Sequence, residues 1–122
     1  MFRSQSRSTQ FAKAATNEPK RSKRYEGWRE DGNILVTVDG EALSPRQDFR
    51  AASADGFEWG YGGSGPAQLA LALLADHLGD GEPALALHQE FKWAVVASLP
   101  RERWTLTSDE IDRVLMARRF SV

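Results

Sequence analysis

The chain has 122 residues, a formal net charge of −1 and no cysteine, which fits one domain and excludes disulfides and thiolate metal sites. Its hydrophobic fraction of 41%, with four Trp, two Tyr and six Phe, is enough for a modest core. No apolar run approaches the ~20 residues of a membrane helix, and the first ten residues, MFRSQSRSTQ, lack the apolar segment of a secretory signal. A cytoplasmic protein without membrane partners is therefore expected.

The charge is unevenly spread. Residues 1 to 24 carry seven Lys/Arg against one acid, a net of +6, and the rest carries nine basic against sixteen acidic side chains, a net of −7. Residues 1–23 have Met1, Phe2 and Phe11 as their only large apolar side chains. Too little can be buried there to offset the cost of ordering, so a disordered basic arm is expected ahead of one folded domain at 24–122. Lys20, Arg21, Lys23 and Arg24 are its candidate nucleic-acid contacts, set against the plain reading of a solvated tail.

From Arg24 the pattern turns to strands. Arg24 to Arg29 and Ile34 to Val38 flank Glu30-Asp31-Gly32-Asn33, and Asp-Gly between such runs signals a hairpin. Alternation puts Ile34, Val36 and Val38 on one face. Asp39-Gly40 makes a second turn before a short third strand, Glu41-Ala42-Leu43, closed by Ser44-Pro45. Residues 46–56 read as a connector with Phe49 as its anchor, and Phe57-Glu58-Trp59 as one more short strand.

Beyond Pro66 the chain is helical. Residues 67–78 are apolar nearly all round, which predicts a buried central helix stopped by Gly79. A second helix is expected from Pro83 to about Ser98, with Leu87, Phe91, Ala94, Val95 and Ser98 as its inner face. Trp104-Thr105-Leu106 is extended. Thr107 and Glu110 have the spacing of a capping box for a last helix that turns Ile111, Val114 and Leu115 inward. No structure is assigned to Phe120-Ser121-Val122. The fold class is α+β, with a small antiparallel sheet of three to four strands, roughly Arg24 to Trp59, on three helices.

Between Trp59 and the central helix stands Gly60-Tyr61-Gly62-Gly63-Ser64-Gly65, which satisfies GxGxxG after a strand and before a helix. A dinucleotide site also needs a following parallel strand with a ribose-binding acid, and another helix follows instead. A P-loop needs Lys after its last glycine, where this chain has Pro66. In Gly62-Gly63-Ser64-Gly65-Pro66, proline replaces the second glycine of a nucleophile elbow. The first reading of the loop is structural: Ser64 or Gly65 caps the helix, Pro66 fits its first turn, and the glycines pass close beneath Trp59 and Tyr61. The functional reading makes Trp59, Tyr61, Gly62, Gly63, Ser64 and Gly65 a ligand site, with aromatic faces for stacking and helix-start N–H groups for an anion.

The remaining chemistry is sparse. His77 and His88 fall on successive helices without a third ligand at fixed spacing, and Asp55 and Glu58 are loop acids beside glycine. No catalytic set, metal or cofactor is expected.

FEWGYGGSGPAQLALALLADHLGD, FKWAVVASLP and WTLTSDEI resemble the domain-of-unknown-function family 6166, over roughly Tyr25 to Ile111, with the arm outside. The resemblance implies a setting, small proteins of bacteria, archaea, phages and plasmids, and assigns no catalytic role to any residue. Together these readings make a non-enzymatic protein-binding module the leading expectation, an accessory of a mobile element or an inhibitor of host defence whose acidic body meets a basic protein surface. Alternatives are a small-ligand or nucleotide sensor at the glycine loop, and nucleic-acid binding through the arm. A homodimer is also compatible, since a second copy can bury an all-apolar helix.

Overall fold

A computed structural model of the chain describes residues 22–48 and 56–118. The expectations for residues 1–21, including Lys20 and Arg21, and for Phe49 and Asp55 lie outside the described residues. In chain order the elements are β1 (Arg24–Glu30), β2 (Asn33–Val38), β3 (Glu41–Ala42), α1 (Ser64–Leu78), α2 (Gly81–Ala94), a 3-10 turn (Val96–Ser98), β4 (Arg103–Thr107) and α3 (Ser108–Arg118). The fold is α+β, with one antiparallel sheet in the order β3-β2-β1-β4.

β1 and β2 form the expected hairpin. Asp31 and Gly32 both take positive φ, 52° and 81°, the backbone that a tight two-residue turn needs to keep the strand twist. Tyr25 and Gly27 of β1, Val36 of β2, and Trp104 and Leu106 of β4 are buried, with Ile34 and Val38 packed against them. On that face the register pairs Tyr25 with Leu106 and Gly27 with Trp104. The fourth strand is therefore Arg103–Thr107, where the sequence reading expected Phe57-Glu58-Trp59. With β4 paired to β1, residues 57–59 have no ladder to join and run as irregular chain.

α1 is the centre of the molecule. Every residue from Gly65 to Ala75 is buried, as its apolar composition requires, and Tyr25, Trp59, Phe91, Val96 and Ile111 complete the core around it. At its end Gly79 adopts φ 72° and returns its N–H to the Ala75 carbonyl at 3.0 Å. At its start the N-cap is Gly63 with no side-chain cap bond, and Ser64 and Gly65 already lie inside the helix, so neither caps it. α2 starts at Gly81, with the Asp80 carboxylate accepting the Glu82 N–H at 3.1 Å. It stops at Ala94, four residues before the expected end, and Ser98 is exposed. The Val96 carbonyl accepts the Gly60 N–H at 3.0 Å, so a tertiary bond takes the place of further helix.

The capping box of α3 forms as its spacing predicts. The Thr107 hydroxyl accepts the Glu110 N–H at 3.1 Å, and the Glu110 carboxylate accepts the Thr107 N–H at 2.8 Å. Thr107→Ala should lower stability by about 1 kcal/mol. Thermal unfolding should then fall by about 4–8 °C, and an unchanged midpoint would remove the cap from the account.

Candidate functional site

The glycine loop is clamped from three sides. Behind it the Gly60 N–H reaches Val96, and from α2 the Lys92 ammonium donates to the Gly62 carbonyl at 3.2 Å. Ahead of it Arg29 of β1 makes a two-pronged ion pair with Glu58, at 2.8 and 3.1 Å. The Arg101 carbonyl joins this knot by accepting both Arg29 Nε and Trp59 Nε1 at 2.9 Å. The Arg29 guanidinium holds the Glu58 carboxyl below the usual carboxylate range, and Glu58 in turn pushes Arg29 up.

The two aromatics of the functional reading, Trp59 and Tyr61, do not form a shared exposed shelf. Trp59 is 1% exposed, edge-on to Trp104 at 5.6 Å, with the Arg29 guanidinium 4.7 Å above its ring. Such a large amphipathic ring finds a better place in the core, where its N–H keeps a partner. The exposed aromatics here are Tyr61, at 53%, and Trp93 of α2, at 63%. Each lies against a glycine. A Cβ on Gly62 would overlap the Trp93 ring, and one on Gly63 would overlap the Tyr61 ring. A Cβ on Gly65 would come within 2.7 Å of Glu58 Cβ. The glycines thus buy contact with the chain's own side chains, and Ser64 stands exposed at the first position of α1.

Lys92 completes the platform. It is 7% exposed, and its ammonium sits 4.5 Å from the centroid of the Trp93 ring, fixing loop to helix. Sequence reasoning missed Trp93 and Lys92 as site residues. The signal was present, because Trp93 falls off the helical face marked by Leu87, Phe91 and Ala94.

A second polar cluster lies where the start of the described chain meets the end of α1 and the start of α3. An open cleft of about 560 Å³ is lined there by Lys23, Asp76, His77, Ser108 and Asp112, among others. Asp76 accepts the Tyr25 hydroxyl at 2.7 Å and the Lys23 ammonium at 3.2 Å. Burial first, and then the bond to Asp76, push the Tyr25 phenol far up, so it stays a donor. His77 Nε2 lies 2.6 Å from Asp112. Just beyond the β1–β4 pairing, the Lys23 carbonyl accepts the Ser108 N–H at 3.0 Å and the Ser108 hydroxyl accepts the Lys23 N–H at 2.9 Å. Of the arm's candidate contacts, Lys23 is thus held by the body and Arg24 lies 3.7 Å from Glu26. His88 donates from Nδ1 to the Leu85 carbonyl at 2.7 Å. Among the described residues no three His, Asp or Glu side chains are grouped so as to hold a metal ion.

Fold and site together define a small α+β domain with two exposed aromatics, Tyr61 and Trp93, packed on neighbouring glycines of one clamped loop. Residues 25–117 match the Family of unknown function (DUF6166), and the chain belongs to that family. No curated protein and no solved structure matches it. Among the described residues no helix is long and apolar enough to cross a membrane.

Proposed function

We propose that the protein is a non-enzymatic protein-binding module that meets its partner through Tyr61 and Trp93. One observation carries this reading: two large aromatics stand exposed on a backbone held rigid by Lys92, Gly60 and the Arg29–Glu58 pair. Exposed Trp and Tyr anchors give large contact area at a small entropic cost, and they dominate protein interfaces. The reading is favoured over a phosphate loop by what fills the loop, since Trp93 and Tyr61 cover Gly62 and Gly63 and a carboxylate residue, Glu58, packs on Gly65. The accessory role suggested by the family resemblance, in a phage or plasmid, is part of the same proposal.

The test is quantitative capture from the native host with the full chain as bait, beside a Tyr61→Ala/Trp93→Ala variant. A specific protein should be enriched by the wild type and depleted about 30-fold by the variant, the equivalent of ~2 kcal/mol at a hot spot. Both side chains are more than half exposed, so the variant should stay folded, with a urea midpoint lowered only by the lost contacts to Gly62, Gly63 and Lys92. Equal capture by a folded variant would remove the platform. A turnover lost in Ser64→Ala or His88→Ala would replace the whole reading with an enzymatic one.

A further inference from the structure

We infer that the occupant of the platform is an arginine-bearing segment of a basic protein; this inference rests on the binding reading above and names its chemistry. The sign of the charge around Trp93 leads to it. α2 carries three charged side chains, Glu82, Glu90 and Lys92. The only cation, Lys92, is turned inward onto Gly62, whereas Glu82 and Glu90 are exposed. His88, the other basic side chain of the helix, is 2% exposed. The solvent face of α2 is therefore anionic and ends in an indole.

Glu90 and Gln89 precede Trp93 by three and four residues, so they share its side of the helix within reach of one ligand group. Glu90 has no ion-pair partner among the described residues. The domain beyond Arg24 adds a net of −7 behind this face, which speeds encounter with a positive surface.

Arginine fits this arrangement better than lysine. Its planar guanidinium stacks on an indole or phenol face while its N–H fork meets a carboxylate, and it sheds water more readily than an ammonium. Trp59 shows the same combination of groups indoors, with the Arg29 guanidinium 4.7 Å over its ring and forked to Glu58. At Trp93 the ring stays 63% exposed even with the Lys92 ammonium 4.5 Å from its centroid, Glu90 stands three residues before it, and the guanidinium would come from outside to the open part of the ring. An acidic segment would face Glu82 and Glu90, with the ammonium of α2 already committed to Gly62.

The experiment titrates the full chain with short poly-arginine, poly-lysine and poly-glutamate peptides at physiological ionic strength, read by calorimetry and by tryptophan fluorescence. Poly-arginine should bind most tightly. Its affinity should fall about tenfold in Trp93→Ala and about threefold in Glu90→Gln, with both variants still unfolding cooperatively in urea. Poly-arginine binding that neither substitution alters would overturn the inference, because it would reflect the general acidity of the body. Poly-glutamate binding that needs Trp93 would overturn it while sparing the platform. No peptide binding, or self-association lost in Trp93→Ala, would overturn it too, the latter assigning the face to a second copy. Failure of the platform itself is read separately, from the capture experiment.

Discussion

Gly27→Ala is expected to destabilise the domain by about 3 kcal/mol, at the upper end of ordinary overpacking costs. Gly27 sits in the central strand β1 directly opposite Trp104, and the Trp104 indole lies over its Cα. A Cβ there would overlap the five- and six-membered rings at once. The indole has nowhere to go: it is 3% exposed, wedged edge-on against Trp59 and part of the same core as α1. Urea unfolding should show a lower midpoint with an unchanged slope. A double variant with Trp104→Ala supplies the control. If overlap is the cause, adding Gly27→Ala to Trp104→Ala should cost under about 1 kcal/mol, because the two sites share one interaction. A full cost in both backgrounds would point instead to a backbone effect at Gly27.

Gly27 also shows where the sequence was and was not legible. Its neighbours read plainly as a strand, and the Asp31-Gly32 turn, the buried α1, the Gly79 stop and the Thr107–Glu110 cap are all local signals that the structure repeats. What no local pattern carries is which distant strand lies beside β1. Trp104 to Leu106 reads as extended either way, and only the pairing with Gly27 explains why a glycine sits mid-strand opposite a tryptophan. The glycine loop was legible to the same extent: it read first as structural, but which rings its glycines admit did not show, since the space is filled by Trp93, thirty-one positions after Gly62, and by Tyr61. Composition cannot tell a glycine that admits a ligand from one that admits the protein's own ring. The helical period of α2 did separate Trp93 from the core face, so half of the platform was within reach of sequence.

Arg29→Ala is expected to cost about 2–3 kcal/mol, the range for losing hydrogen bonds to a charged partner. Arg29 ties three separate segments together through Glu58, the Arg101 carbonyl and the Trp59 face, and its side chain is only 16% exposed. Removing it also leaves the Glu58 carboxylate without its cation. Glu58→Gln should cost less, and the two losses should add to more than the double variant shows. The pair further predicts a pH signature. Because Glu58 titrates below its ordinary range when folded, its stabilisation is fully present above that range and disappears as pH falls through the depressed value. Arg29 is pushed up, so its contribution is constant across acid and neutral pH and adds no acid sensitivity. The gap between wild type and Glu58→Gln should therefore be widest at neutral pH and narrow steadily below the ordinary carboxylate range. A gap that stays constant down to the acid limit would show that the ion pair does not hold the start of the loop, and the clamp would then rest on Lys92 and Gly60 alone. In that case Lys92→Met should loosen the loop, visible as faster limited proteolysis within residues 60–65, with Arg29→Ala leaving that cleavage rate unmoved.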